Sequence, residues 1–293
     1  MNLSKSRELN FFIKQALKED IGRGDLTTSL IIPKQRKVKA VILAKANGVV
    51  CGINLARLVF RFADKSINFR PSVSDGDKVR KGKILARLRG PAAKILSAER
   101  VALNFLGLLS GIATKTKAYV GAVKPYKVKI LDTRKTLPGL RKLEKYAVRV
   151  GGGYNHRFSL DEMVLVKDNH LKVSSLKPQA SSLKEIIEMA KIKRPKNIKI
   201  EVEVKNLREL KQALKARPDV IMLDNMNPEQ VGKAAKIRNS LEPGTWNLQP
   251  KLEASGNIAL ANIRKYARCG VDFISVGSLT KDIESLDIAL EIL

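Results

Sequence analysis

The sequence predicts a mixed α/β protein in two parts: a small α+β module over the first ~90 residues, then an incomplete (β/α) barrel. Three observations carry this. Period-two alternation and turn clusters dominate the early chain. From Lys127 short apolar runs alternate with helix-like runs. Charged or Gly/Ser residues then recur at the ends of those apolar runs.

Taken in order, Asn10 to Lys18 places Phe11, Phe12, Ala16 and Leu17 at helical spacing. The turn-rich stretch from Glu19 to Thr28 follows and reads as a connecting loop. Lys37 to Ala46 alternates Val38, Ala40, Ile42 and Ala44 on one face, as a strand does. Gly48 to Gly52 reads as a tight turn with a short strand, and Asn54 to Phe62 as a helix. Asp75 to Gly82 is a turn cluster before a strand from Lys83 to Leu88. Ala98 to Lys117 is a long helix with Leu103, Leu106 and Leu109 on its stripe; Gly107 and Gly111 allow close helix contact.

After Lys127 the predicted strands are Val128–Leu131, Met163–Val166, Ile198–Val204, Val220–Leu223, Lys251–Ala254 and Phe273–Val276. Helices are predicted at Ser182–Lys193, Leu207–Ala216, Pro228–Asn239 and Ile258–Cys269, with a last one from Lys281 to Leu293. Such alternation implies parallel strands joined by right-handed crossovers. Six strands fall short of a closed barrel of eight. Asn239 to Pro250, holding the only tryptophan, Trp246, reads as a polar surface loop.

Composition narrows the class. A hydrophobic fraction of 44% excludes global disorder. Two cysteines, Cys51 and Cys269, are too few for a disulfide framework or a four-ligand zinc site, and suit a reduced, cytoplasmic protein. The Met1–Asp20 segment lacks the apolar core of a signal peptide, and the longest uncharged run, Val101–Thr114, is too short to span a bilayer. The net charge of +28 is spread along the chain. A nucleic-acid binder would account for it, yet aromatics make up only 5% and do not interleave with Arg or Lys.

The chemistry concentrates between Ile130 and His170. That stretch holds Arg134, Lys135, Arg141, His156, Arg157, Lys167 and both histidines of the protein. Cations gathered at strand ends are costly to desolvate, so they imply a multiply anionic ligand. In barrels of this kind the reacting groups lie at the C-terminal strand ends. Those ends read Asp132-Thr133-Arg134-Lys135, Lys167-Asp168-Asn169-His170, Glu201 with Glu203, Asp224-Asn225, Glu253 to Asn257, and Gly277-Ser278. Ser255-Gly256-Asn257 and Gly277-Ser278 precede predicted helices, where backbone N–H groups bind phosphate. Glu203 and Asp224 suit Mg²⁺ or an ion pair with a nearby lysine, and Glu201 is in phase with Glu203. Gly151-Gly152-Gly153 reads as a flexible turn that lets His156 and Arg157 reach inward; Arg100 reads as a solvated helix residue.

Taken together, E-D-I-G-R-G-D-L-T-T, A-E-R-V-A-L-N-F-L, S-G-I-A-T, D-T-R-K-T-L-P-G-L-R, G-G-G-Y-N-H-R, V-K-D-N-H, E-V-E-V, M-L-D-N and E-A-S-G-N-I occur in one order. With them the chain resembles the quinolinate phosphoribosyltransferase family over nearly its whole length. The resemblance implies an N-terminal α/β sandwich domain over 1–112, joined by a C-terminal helix over 281–293, and an incomplete α/β barrel over 113–280. It implies transfer of 5-phosphoribosyl from phosphoribosyl pyrophosphate to quinolinate with loss of CO₂, and Mg²⁺ as the cofactor. Arg134, Lys135, His156, Arg157 and Lys167 would surround the two quinolinate carboxylates, with Thr133 beside them. Lys135, Glu203 and Asp224 would be catalytic, the last two serving the ribose and the metal. Ser255, Gly256, Asn257, Val276, Gly277 and Ser278 would hold the 5-phosphate. Arg100 would reach a neighbouring subunit's site, in a cytoplasmic homo-oligomer that is a dimer or a trimer of dimers, with no membrane or nucleic-acid partner. A related phosphoribosyltransferase for another acidic base, or a paralogue associated with molybdate transport, shares the scaffold.

Overall fold

The computed structural model describes residues 7–174, 182–240 and 249–293, so Trp246 and most of its polar loop lie outside the described residues. The chain forms two compact units. One takes the residues up to Lys117 with Tyr146–Gly152 and Ile283–Leu293; the other takes Ala118–Lys145 and Gly153–Asp282.

In the first unit, α1 (Arg7–Ile21) buries Leu9, Ile13 and Leu17, one i, i+4 stripe. The expected loop after it is shorter than its composition suggests. Asp25 accepts the Thr28 N–H at 3.0 Å and the Ser97 hydroxyl at 2.9 Å, and so caps α2 (Leu26–Ile31). Next come β1 (Lys37–Ala44), β2 (Gly48–Val49), α3 (Ile53–Ala63), β3 (Asn68–Pro71), β4 (Lys78–Val79), β5 (Ile84–Pro91) and α4 (Ala92–Ala122). β5 pairs antiparallel with both β1 and β3. The expected α4 starts earlier and runs longer than its leucine stripe. It is long and apolar enough to cross a membrane by composition, but 67% of its most apolar window is buried. Leu106, Leu109 and Ile112 are core residues.

The second unit contains β6 (Lys129–Leu131), α5 (Arg141–Val150, its first half), β7 (Met163–Val166), α6 (Asp168–Ser174), α7 (Leu183–Lys193), β8 (Lys199–Val204), α8 (Leu207–Ala216), β9 (Val220–Asp224), α9 (Pro228–Asn239), β10 (Lys251–Ser255), α10 (Ile263–Ala267), β11 (Phe273–Ser275) and α11 (Ser278–Lys281). Its strands form one six-stranded parallel sheet in the order β6-β11-β10-β9-β8-β7. β6 and β7 do not pair; beside β6 the chain at Tyr154 makes a single parallel bridge to Leu131. The barrel is therefore incomplete. Ser182, Asn206 and Asn227 cap α7, α8 and α9 through their side chains. The expected Ile258–Cys269 helix shortens to α10, because Asn262 accepts the Ala259 N–H at 2.8 Å and donates to the Asn257 carbonyl at 3.1 Å.

The C-terminal helix expected over 281–293 does not form. α11 ends at Lys281, and β12 (Ile288–Ile292) pairs antiparallel with β1, Leu290 opposite Ile42. Leu286, Ile288, Leu290 and Ile292 alternate as a strand, while Ile283, Leu286, Leu290 and Leu293 fit helical spacing equally well. The open edge of β1 decides between them, since a ladder satisfies its backbone groups. The small residues of α4 serve this segment and not a second helix. Leu286 N–H donates to the Gly107 carbonyl at 3.0 Å, and a Cβ on Gly111 would lie 2.0 Å from the Glu284 oxygen.

Candidate active site

A cavity of about 750 Å³ opens at the C-terminal ends of the parallel strands, lined wholly by the second unit. Strand alternation explains its lining. On β8, Ile200, Val202 and Val204 are fully buried on one face, which leaves Glu201 and Glu203 on the other. Glu203 lines the cavity. Asp224, Glu253 with Ser255, and Ser275 with Gly277 line it from β9, β10 and β11 and the turns beyond.

The cationic side is held by Asp132, which is fully buried at the end of β6. Its carboxylate accepts the Lys145 ammonium, the Asn155 amide at 2.5 Å and the His156 N–H at 2.9 Å. Lys145 also donates to the His156 carbonyl at 3.0 Å. Burial raises the Asp132 carboxyl and lowers the Lys145 ammonium, and their contact opposes both shifts. This buried ion pair ties the 155–157 loop to β6 and so aims Arg157 into the cavity beside Arg134 and Lys135. Arg157 donates to the Met163 carbonyl at 2.9 Å. The Nε atoms of Arg134 and Arg157 are buried without a hydrogen-bond partner among the described residues. Both guanidiniums line the cavity, where a bound carboxylate would pair with them.

Beneath them lies a floor of acids. The His156 Nδ1 accepts the Arg157 N–H at 2.8 Å, which places the ring proton on Nε2. Nε2 stands 2.9 Å from Glu201 and 3.7 Å from Glu253. An accepting Nδ1 belongs to a neutral ring, and burial lowers the His156 pKa in the same sense. Glu253 accepts the Ser275 hydroxyl at 2.5 Å. Burial raises both carboxyls well above the ordinary range, and for Glu253 the Glu201 carboxylate adds to it. Both Glu201 oxygens are buried without a hydrogen-bond partner among the described residues.

The opposite wall is polar and small. Gly256 (φ +92°) and Asn257 (φ +52°) are left-handed, and a Cβ on Gly256 would meet Asn225 Oδ1 at 2.2 Å. Asn257 donates to that same oxygen at 3.1 Å. The Ser255–Asn257 turn is therefore not the N-terminus of a helix, as the sequence suggests; α10 begins only at Ile263. Gly277 leaves room for the Lys135 side chain, whose Cδ would sit 3.2 Å from a Cβ there. Tyr119 bonds Ser278 at 3.3 Å. Between the walls, Lys167 donates to Glu203 at 2.8 Å and Asn225 donates to Asp224 at 2.8 Å.

The fold thus brings Thr133, Arg134, Lys135, His156, Arg157, Lys167, Glu203 and Asp224 to one cavity with Ser255, Gly256, Asn257, Gly277 and Ser278. Val276 is buried and gives its N–H to Leu131, so it supports the wall without lining it. Arg100 is exposed on α4 of the other unit and is not among the lining residues. Arg141 braces the loop, donating to Thr136 and to the Phe158 carbonyl, and His170 accepts the Lys167 N–H. Gly151 serves close packing and not flexibility: a Cβ there would lie 2.5 Å from the Ala113 oxygen of α4. Sequence reasoning places Asn225 and Glu253 at strand ends without giving either a role, and does not single out Ser275. The in-phase Glu201/Glu203 pair on β8 was the available signal, since a second acid on the next inward-facing strand position tells of a floor.

The comparisons agree with this geometry. The model of the quinolinate phosphoribosyl transferase C-terminal domain matches residues 112–291, and that of its N-terminal domain matches 25–110. A probable nicotinate-nucleotide pyrophosphorylase (carboxylating) of Methanocaldococcus jannaschii is 45% identical, over 96% of this chain and 95% of its own. The Bacillus subtilis protein of the same description is 42% identical, over 94% and 90%. The solved nicotinate-nucleotide pyrophosphorylase from Francisella tularensis superposes with a TM-score of 0.87 at 37% identity, covering 100% of this chain and 99% of that one. An anion cavity at the open end of an incomplete barrel, matched over both units, means that the chain belongs to the quinolinate phosphoribosyltransferase family.

Proposed function

We propose that the chain transfers 5-phosphoribosyl from phosphoribosyl pyrophosphate to the ring nitrogen of quinolinate, with loss of CO₂, giving nicotinate mononucleotide and pyrophosphate for NAD biosynthesis. One observation carries the reading: a single cavity with guanidiniums and lysines on one wall and a small polar wall opposite, joined by Glu203 and Asp224. Arg134 and Arg157 suit bidentate carboxylate binding, and Lys135 and Lys167 add point charges. The Ser255–Asn257 turn and Gly277-Ser278 suit the 5-phosphate. Ribosyl transfer develops oxocarbenium character, and Glu203 and Asp224 are the anions placed to stabilise it. No protein nucleophile is needed, so preorganisation of the two substrates supplies the rate. The alkylated ring nitrogen is then the electron sink for decarboxylation.

Glu203 and Asp224 also fit Mg²⁺. Each keeps an oxygen beyond its bond to Lys167 or Asn225, and hard oxygen donors beside a phosphate site are what this ion takes. When bound, the ion would neutralise charge on the departing pyrophosphate. The reading includes a homo-oligomer with a shared site, to which Arg100 of a second copy contributes. Exposed Leu26, Leu30 and Ile31 on α2, at 68–81%, support such an interface. It also includes a reducing, cytoplasmic setting, which suits the free Cys51 and Cys269.

The test is an assay with quinolinate, phosphoribosyl pyrophosphate and Mg²⁺, following nicotinate mononucleotide and CO₂, with nicotinate in parallel. Product from quinolinate alone is expected. Turnover of nicotinate alone would refute the assignment of the cationic wall to two carboxylates.

A further inference from the structure

The cavity floor contains more than a substrate-binding wall needs. Ser275, Glu253, Glu201 and His156 form one chain of contacts, running from β11 through β10 and β8 to the loop that carries Arg157. Its links are Ser275 to Glu253 at 2.5 Å, His156 Nε2 to Glu201 at 2.9 Å and to Glu253 at 3.7 Å, and Arg157 N–H to His156 Nδ1 at 2.8 Å. Glu201, Glu253 and Ser275 are all at most 3% exposed. His156 Nδ1 is engaged by the Arg157 N–H, and Nε2 faces the two carboxylates. His156 lines the cavity and also supports its neighbour Arg157.

We infer that Ser275 and Glu253 are positioning residues for base recognition: acting through Glu201 and His156, they fix the backbone of Arg157 and hence the direction of its guanidinium. The argument is one of accounting. The Arg157 loop is secured from above by Asp132, which takes the His156 N–H, and from below by the imidazole. Removing the lower hold leaves the Arg157 N–H without its acceptor and the His156 ring free to rotate about its side-chain bonds. An arginine that must meet a planar carboxylate with two parallel bonds tolerates little such freedom. Glu253 and Ser275 stand two residues before the phosphate turns, but the Asn257–Asn225 bond that holds the Ser255–Asn257 turn involves neither, so the larger effect falls on quinolinate. A metal ion among His156, Glu201 and Glu253, which stand close enough to offer three ligands, is disfavoured by the neighbouring Arg157 charge.

This inference rests on the proposed reaction, and the experiment separates the two. Wild-type enzyme, Ser275→Ala, Glu253→Ala and Glu253→Gln are compared in steady-state assays, varying quinolinate and phosphoribosyl pyrophosphate in turn, with melting temperatures alongside. Absence of quinolinate turnover in the wild type would refute the reaction itself. Given wild-type turnover, Ser275→Ala and Glu253→Ala are expected to raise KM for quinolinate by ~10-fold or more, the loss of one buried hydrogen bond, while KM for phosphoribosyl pyrophosphate stays within about twofold. Glu253→Gln keeps the shape and an acceptor for Ser275, and is expected to restore quinolinate binding to within about threefold of wild type. Equal changes in both KM values, or a lower melting temperature with neither KM moved, would overturn the positioning role. A Glu253→Gln variant as impaired as Glu253→Ala would overturn it too.

Discussion

Lys145→Met cuts the ion pair behind the cationic wall while keeping most of the side-chain volume. The perturbation is clean because Lys145 is 3% exposed and Asp132 is fully buried. Removing one partner of a buried pair costs about 3–5 kcal/mol, because the other charge is left without compensation. Asp132 retains the Asn155 amide and the His156 N–H, each a hydrogen bond to a charged acceptor, so the low end of that range applies. About 3 kcal/mol in a protein of this size lowers Tm by about 6–12 °C. The second effect is local. Lys145 also holds the His156 carbonyl, so the loop loosens and KM for quinolinate rises. Scanning calorimetry with steady-state kinetics measures both. The double variant Asp132→Asn/Lys145→Met removes the orphaned charge and is expected to recover a good part of the lost stability. A single variant melting within about 2 °C of wild type, or a double variant that is the sum of its singles, would refute the reasoning.

Three further outcomes are expected. Gly256→Ala places a methyl 2.2 Å from Asn225 Oδ1 at φ +92°, so the turn opens and KM for phosphoribosyl pyrophosphate rises ~10-fold or more with quinolinate binding spared; kinetics varying each substrate check this. Gly111→Ala drives a Cβ to 2.0 Å from the Glu284 backbone oxygen, costing roughly 1–3 kcal/mol, seen as a lower Tm and faster proteolysis of the C-terminal segment. Glu144 is fully buried, and burial raises its carboxyl from 4.5 to about 7. Between those values the folded state binds more protons than the unfolded chain, so stability is present below the lower value and lost as pH rises through the upper. Glu144→Gln is therefore expected to gain more in Tm at pH ~8 than at pH ~5, and an equal gain at both would count against it.

Legibility followed the strength of local periodicity. All six parallel strands and the α7, α8 and α9 helices were readable, because each is a run of one period closed by a cap or a turn. β3 was not, since Asn68–Pro71 offers Phe69 as its only large apolar side chain and exists as a partner for β5. β12 was misread as a helix because its spacing fits two periods and only the free edge of β1 chooses. In the site, the cations and the Gly/Ser turns were visible as residue types at strand ends. What joins them was not. Lys145 and Asn155 look like ordinary polar residues until the fold closes them around Asp132. The left-handed conformation at Asn225 and Asn257 is likewise a property of the assembled turn.

Acids at the floor of an anion site look misplaced until the free enzyme is considered. Arg134, Lys135, Arg157 and Lys167 converge on one cavity and repel one another when no substrate is present. Burial and Arg134 both work against the Arg157 charge, while Glu201 favours it. Lys167 finds the same relief in Glu203. The acids therefore hold the cationic wall in place before the ligand arrives. They lie below and beside it, and the guanidiniums of Arg134 and Arg157 line the cavity. A floor fully charged at both Glu201 and Glu253 would repel the very dianion the wall attracts. Burial raises both carboxyls, which favours their neutral forms and lessens that repulsion, while Glu201 still favours the Arg157 charge. On this logic the buried acids are part of how the site recognises two carboxylates.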